Sequence, residues 1–140
     1  MMHQNELKYK DMSNLILKAF YNVYNIFGYC FLEKLYERAL MIELTKLGLK
    51  CNNQHSIKVY YDKQIVGDYI ADIIVEDKIL LELKSTKTLS IQDESQLLNY
   101  LPCTELEVGI LLNFRPEPQI KRKVFDNELK PYIRAIRENQ

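Results

Sequence analysis

The stretch Gly67-Asp-Tyr-Ile-Ala-Asp72-Ile-Ile-Val-Glu76-Asp-Lys-Ile-Leu-Leu-Glu82-Leu-Lys84 constrains this chain more than any other. Two apolar, β-branched-rich runs flank Glu76, Asp77 and Lys78, the pattern of a β-hairpin. Inside the runs sit three ionisable residues that strand packing does not require: Asp72, Glu82 and Lys84. Strand side chains alternate faces with period 2. Glu82 and Lys84 therefore share a face with Leu80, and Ile79, Leu81 and Leu83 take the other. A three-residue loop pairs Val75 with Ile79 and Ile74 with Leu80, and so sets Asp72 opposite Glu82, Cβ atoms about 5 Å apart. A two-residue loop would put the two carboxylates on opposite faces. The apolar runs end at Val75 and restart at Ile79, which favours three. Carboxylates that close repel unless a cation joins them. With a divalent metal the same pair becomes a binding site.

The 140 residues suit one domain, 1–140, with 1–12 and 127–140 peripheral. Nineteen basic and nineteen acidic residues cancel, which excludes a histone-like, sequence-blind coat for DNA. A nucleic-acid enzyme, a small substrate or a protein partner all remain compatible with zero net charge. Cys30, Cys51 and Cys103 are odd in number and widely spaced, with no CxxC. A disulfide framework or zinc site is not expected. Small buried thiols in a reducing, cytoplasmic setting are. No apolar run reaches the roughly 18 residues of a membrane span.

The pattern along the chain predicts α/β architecture in the order α-α-β-β-β-α-β-β-α. Ser13 is the candidate cap of a first helix whose stripe is Ile16, Ala19 or Phe20, Val23, and Ile26 or Phe27, ending at Gly28. A second helix covers 32–47, with Leu32, Leu35, Tyr36, Ala39, Leu40 and Leu47 inward and Gly48 as its stop. Strands are expected over 54–61, 65–75 and 79–85, with Gly67 marking a bulge. Ser90 with Asp93 or Glu94 resembles a capping box for a helix running to Leu101, where Pro102 ends it. Gln96 and Tyr100 share one face of that helix. The near-continuous apolar run 106–114 reads as a buried central strand. A short strand-like piece, 120–125, and a short helix after Pro131 complete the chain.

Asp72, nine residues, then Glu82-Leu83-Lys84 fits Asp-x(n)-Glu-x-Lys. Asp72 and Glu82 can hold Mg²⁺ or Mn²⁺ by oxygen, with the Leu83 backbone carbonyl as a further ligand. Lys84 can orient or help deprotonate an attacking water, or stabilise developing phosphoryl charge. That chemistry is hydrolysis of a phosphodiester. The structural alternative is a salt-bridged trio at a sheet rim, with Lys84 neutralising Glu82. Glu33, in the first turn of its helix, reads on spacing alone as a carboxylate that complements the helix dipole. Glu37, one turn on, reads as a solvated charge paired with a neighbour. Lys121, Arg122 and Lys123 suit a charged sheet edge, and together with Lys87 they are the candidates for phosphate contact.

These stretches together resemble the PD-(D/E)xK nuclease superfamily and, within it, the small GxxExxY proteins. The matching segments are Gly28-Tyr-Cys-Phe-Leu-Glu33-Lys-Leu-Tyr36-Glu37-Arg-Ala-Leu40, Gln54, Val59-Tyr60, Gly67 to Glu76, Leu80-Leu-Glu82-Leu-Lys84, Gln96-Leu-Leu-Asn-Tyr100-Leu101 and Gly109-Ile-Leu-Leu-Asn113-Phe114. The resemblance covers roughly 13–125. It implies a restriction-endonuclease-like core, a mixed β-sheet flanked by helices, and a metal-dependent nuclease acting on DNA ahead of RNA. It also implies that Glu33 is the acid a core helix brings near the metal, and that Gln96 and Tyr100 line the site and contact DNA or the attacking water. Cys30 stands where the family has Gly, Ala71 where the superfamily label has Pro, and Asp93 where relatives often have His. None of these departures removes a proposed ligand or Lys84. The alternative from another class is an accessory module that keeps the fold and has little catalysis. A homodimer would supply gripping surface that one small neutral domain lacks.

Overall fold

A computed structural model describes residues 9–130. The elements in chain order are α1 (Lys10–Phe27), α2 (Glu33–Lys46), β1 (Cys51–Tyr61), β2 (Gln64–Val75), β3 (Ile79–Lys84), α3 (Ile91–Tyr100), β4 (Val108–Asn113) and β5 (Gln119–Val124). Two short 3-10 turns, Leu101–Cys103 and Asn127–Leu129, follow α3 and β5. The helix expected after Pro131 lies outside the described residues. The strands form one sheet in the order β1-β2-β3-β4-β5. All neighbours run antiparallel except β3 and β4, which are parallel and joined by the α3 crossover.

Each face of the sheet carries its own core. On one, α1 and α2 cover Ile73, Val75, Ile79, Leu81, Leu83, Val108, Ile110 and Leu112. Tyr36 stacks on Phe114 with ring centroids 3.8 Å apart, and Phe20 meets Phe114 edge-on. On the other, α3 and the turn after it place Leu97 and Leu101 over Leu80, Leu111 and Tyr69. β4 is buried along its whole length, as its apolar run predicts.

The loop parity is as expected: Val75 pairs with Ile79 and Ile74 with Leu80 across Glu76, Asp77 and Lys78. Glu76 and Asp77 both have positive φ, and Lys78 N–H donates to the Val75 carbonyl. The β1–β2 ladder shifts register between Val59 and Tyr60, beside Gly67, which makes the predicted bulge. Gly48, at φ +82°, ends α2.

Several expectations fail, each for a physical reason. α1 begins at Lys10, so Ser13 is no cap. It is buried inside the helix, where its hydroxyl accepts from Arg122 Nε at 3.4 Å. Leu44 replaces Leu32 and Leu35 in the core. Leu32, Leu35, Ile26 and Phe27 stay exposed at the α1–α2 junction, outside the core cluster. Cys30 is exposed, and Cys51 and Cys103 are half-buried. Lys130 is buried, its ammonium donating to the Thr104 and Leu106 carbonyls.

α3 rests on β4 at Gly109, where a Cβ would lie 2.7 Å from Leu97 Cδ1. Leu97 is itself buried. Gly109→Ala is therefore expected to cost about 1–3 kcal/mol through overpacking, read from urea unfolding. An unchanged midpoint would show that α3 does not need this close approach.

Candidate functional site

The sheet opens where Asp72 stands. The β2–β3 ladder runs only from Val75–Ile79 to Ile73–Leu81. The next pair in register, Asp72 with Glu82, is the first without a ladder bond. Side-chain alternation along β2 also breaks there. Ile73 and Val75 face the α1–α2 core, while Tyr69 and Ala71 face the α3 core. On β1, Gln54 takes a left-handed conformation, φ 50°, beside the same break. Asp72 and Glu82 still come together, their carboxyls close enough to hydrogen-bond and repel. The Asp72 Oδ2 turns edgewise and accepts the Leu83 N–H at 2.7 Å, filling the place of the missing strand bond.

In an extended strand the N–H and C=O of one residue point to the same edge. The Lys84 carbonyl accepts from Phe114 N–H across β4, so Lys84 and Glu82 direct their backbone groups to β4. Leu83 directs its own into the opening left by β2. Its carbonyl is thus aimed where the expected backbone ligand should be.

Glu82 is nearly buried, on the α3 side. One carboxylate oxygen accepts a short hydrogen bond from the Tyr69 hydroxyl, and the Tyr69 ring stacks on Tyr100 at 4.0 Å and 15°. Burial, then the charge of Asp72, push the Glu82 carboxyl up to about 8. Burial also raises Asp72, and the nearby Glu37 charge adds to this, while the Leu83 amide and Lys84 oppose it. Lys84, half-buried at the end of β3, lowers both carboxyls. Asn113 fixes the backbone beyond it by accepting from Thr86 N–H at 3.1 Å and donating to the Thr86 carbonyl at 2.9 Å.

Glu33 lies exposed in the first turn of α2. It joins Lys34, Glu37, Gln54, Asp72 and Leu83 around a pocket of about 230 Å³. Two larger hollows, about 300 and 550 Å³, contain none of the six candidate catalytic residues. The predicted set Glu33, Asp72 and Glu82 does not close into a three-acid cage. Among the described residues no three His, Cys, Asp or Glu side chains converge as ligands. Glu33 approaches from the α2 side, Glu82 is held on the α3 side by Tyr69, and Asp72 bridges the gap between them. Gln96 is exposed on α3, and Tyr100 reaches the site through Tyr69.

The basic triplet is not one face. Strand alternation sends Arg122 toward α1, where burial lowers its pKa, and Lys121 and Lys123 to the other side of edge strand β5. Lys87 is exposed in the loop after β3.

Two residues escaped the sequence pattern. Glu37 is not solvated: it is buried, bonded by Asn53 and Gln54 and paired with Lys34 at 3.1 Å. Tyr69 gave no signal beyond an aromatic residue in a strand. Its contact with Glu82 emerges only once the twist of β2 is known.

A family model described as the PD-(D/E)XK nuclease superfamily matches residues 10–124. No curated protein matches the chain. Among solved structures the chain is similar to the crystal structure of an alkaline exonuclease from Laribacter hongkongensis, at 14% identity and a TM-score of 0.48. The similarity covers 76% of this chain and 64% of that one, so this chain spans less than two thirds of that exonuclease. No helix among the described residues is long and apolar enough to cross a membrane.

Proposed function

The chain belongs to the PD-(D/E)XK nuclease superfamily and has its α/β restriction-endonuclease-like fold, and on that premise we propose that it is a divalent-cation-dependent nuclease acting on DNA ahead of RNA. Within the superfamily we place it among the GxxExxY proteins, on the motifs from Gly28 to Phe114. We treat 1–140 as one catalytic domain working in the cytoplasm, as a monomer or a homodimer.

The observation that carries this function is the departure of Asp72 from the ladder to grip Leu83 N–H beside the buried Glu82. A hard oxygen-seeking cation fits that donor set. Mg²⁺ and Mn²⁺ are commonly held by one or two carboxylates, the remaining positions going to water and substrate phosphate. Asp72, Glu82 and the Leu83 carbonyl would hold it, with Glu33 facing the same pocket. Once bound, the cation supplies Lewis-acid stabilisation of the phosphate. Lys84 then orients the attacking water and offsets charge on the phosphate. Gln96 contacts substrate from α3, and Tyr69 holds Glu82 in one orientation.

Tyr69→Phe keeps the ring stack and removes the hydroxyl. It is expected to weaken Mn²⁺ binding by about 10- to 100-fold, the usual cost of losing a group that orients a ligand, read by calorimetry. Tyr100→Phe, which spares both the stack and the Tyr69 hydroxyl, is expected to bind Mn²⁺ as the wild type does. Equal losses in the two variants would remove the positioning role.

The function itself is tested with linear, nicked and single-stranded DNA, and an RNA of the same sequence, in Mg²⁺, Mn²⁺ or EDTA. Cation-dependent scission of DNA, faster than of RNA, is expected. Scission that persists in EDTA sinks the cation site. Mn²⁺ binding without cleavage of any substrate identifies the accessory module instead.

A further inference from the structure

The junction between α1 and α2 breaks the rule that large apolar side chains on amphipathic helices go inward. Ile26, Phe27, Tyr29, Phe31, Leu32 and Leu35 are all exposed there, Leu32 at 82% and Tyr29 at 45%. Single exposed apolar residues need no explanation, but six together at one corner do. The corner is also built. Gly28 and Cys30 both have positive φ, 66° and 78°, and for Cys30 that is a strained conformation. Three hydrogen bonds hold it. The Tyr36 hydroxyl donates to the Gly28 carbonyl at 2.8 Å and accepts from Phe31 N–H at 3.3 Å, and Ser85 Oγ donates to the Phe31 carbonyl at 2.8 Å. Phe31 is steadied edge-on by Phe27 and Tyr36.

Those anchors tie the corner to the candidate site. Leu32 directly precedes Glu33, which lines the pocket with Asp72, and Ser85 directly follows Lys84. Lys34 lies within the corner, its ammonium paired with Glu37, and Lys84 and Lys87 flank the Ser85 anchor in sequence, so the three bring positive charge toward a phosphate chain. A second copy of the protein is a poorer occupant, because a stable interface takes about 20–30 residues a side and this patch has six large apolar ones. A nucleobase is matched in size by one or two rings, and stacking accepts any base.

We propose that this corner is a stacking platform for unpaired nucleobases, so that the site takes single strands or frayed ends in preference to intact duplex. The ligand class rests on the nuclease function above, and the platform deepens it.

The test measures binding by fluorescence anisotropy, in EDTA with the full chain. The probes are a short single strand, the same length with abasic sites throughout, and the blunt duplex. The single strand is expected to bind at least about tenfold more tightly than either of the others, the effect of one stacked base. Tyr29→Ala and Phe31→Ala should each remove most of that preference. Phe31→Tyr, which keeps a ring, should restore it, and this guards against a variant that merely misfolds. Equal binding of abasic and base-bearing strands overturns the platform. So does a preference that survives both alanine variants, or a dimer in sedimentation velocity that those variants dissolve. The two failures separate: base-dependent binding with no cleavage in any cation keeps the platform and rejects the nuclease, whereas cleavage of duplex and single strand at equal rates, unchanged in Phe31→Ala, does the reverse.

Discussion

Glu82→Gln is expected to abolish cleavage, by about a thousandfold or more, and yet to make the cation-free protein more stable in mild alkali. The two effects share a cause. Burial and the charge of Asp72 raise the Glu82 carboxyl from 4.5 to about 8. The folded chain therefore holds this proton more tightly than the unfolded chain. The stabilisation is fully present below the unfolded value, and it is lost as the pH rises through the folded one. Taking the cation-free wild type from about pH 6 to about pH 9 should cost on the order of 2–3 kcal/mol. The amide in Glu82→Gln cannot ionise, accepts from the same Tyr69 hydroxyl and carries no charge against Asp72, so the variant should lose this pH dependence. Addition of Mn²⁺ should restore wild-type stability at high pH and leave the variant unmoved, since only a bound ligand shifts the midpoint. Urea unfolding across pH, with and without cation, measures all of this. A wild type equally stable at both pH values would show that neither burial nor Asp72 raises the Glu82 carboxyl.

The hairpin was legible because apolar runs announce their own ends. Val75 and Ile79 bracket three polar residues, and that spacing alone set the register. The burial of β4 was legible for the same reason. The exact relation of Asp72 to Glu82 was not, because a period-two pattern assumes that alternation continues. It breaks at Asp72, beside a left-handed Gln54, a backbone event with no side-chain signature in β2. Everything that depends on the break was hidden with it: the carboxylate on Leu83 N–H, Tyr69 swung onto Glu82, and the burial of Glu37 against Asn53 and Gln54. Glu33 shows the opposite limit. Its helix position was clear from the sequence, but a first-turn glutamate serves the dipole wherever it points, and only the fold brings it to a pocket shared with Asp72.

Substitution of Lys84 is expected to separate turnover from cation binding. The lysine lies one pleat beyond Glu82 on the same face, and its charge lowers both carboxyls. Lys84→Met should leave Mn²⁺ affinity unchanged or higher, because a cation competing for the same two carboxylates has been removed. It should lower cleavage by about 10²–10⁴-fold, the range for a positioned proton-transfer or charge-stabilising group. Lys84→Arg then divides those two roles. Arginine keeps the charge but does not deprotonate in proteins. Substantial activity in Lys84→Arg assigns Lys84 to electrostatic support of the phosphate, and loss equal to that of Lys84→Met assigns it to handling the water. The contrast with Glu82→Gln is the decisive one. Calorimetry and cleavage should fall together for Glu82, and only cleavage should fall for Lys84. If Lys84→Met loses Mn²⁺ as well, the lysine is structural, a neutralising partner at the rim of the sheet rather than a group acting on water.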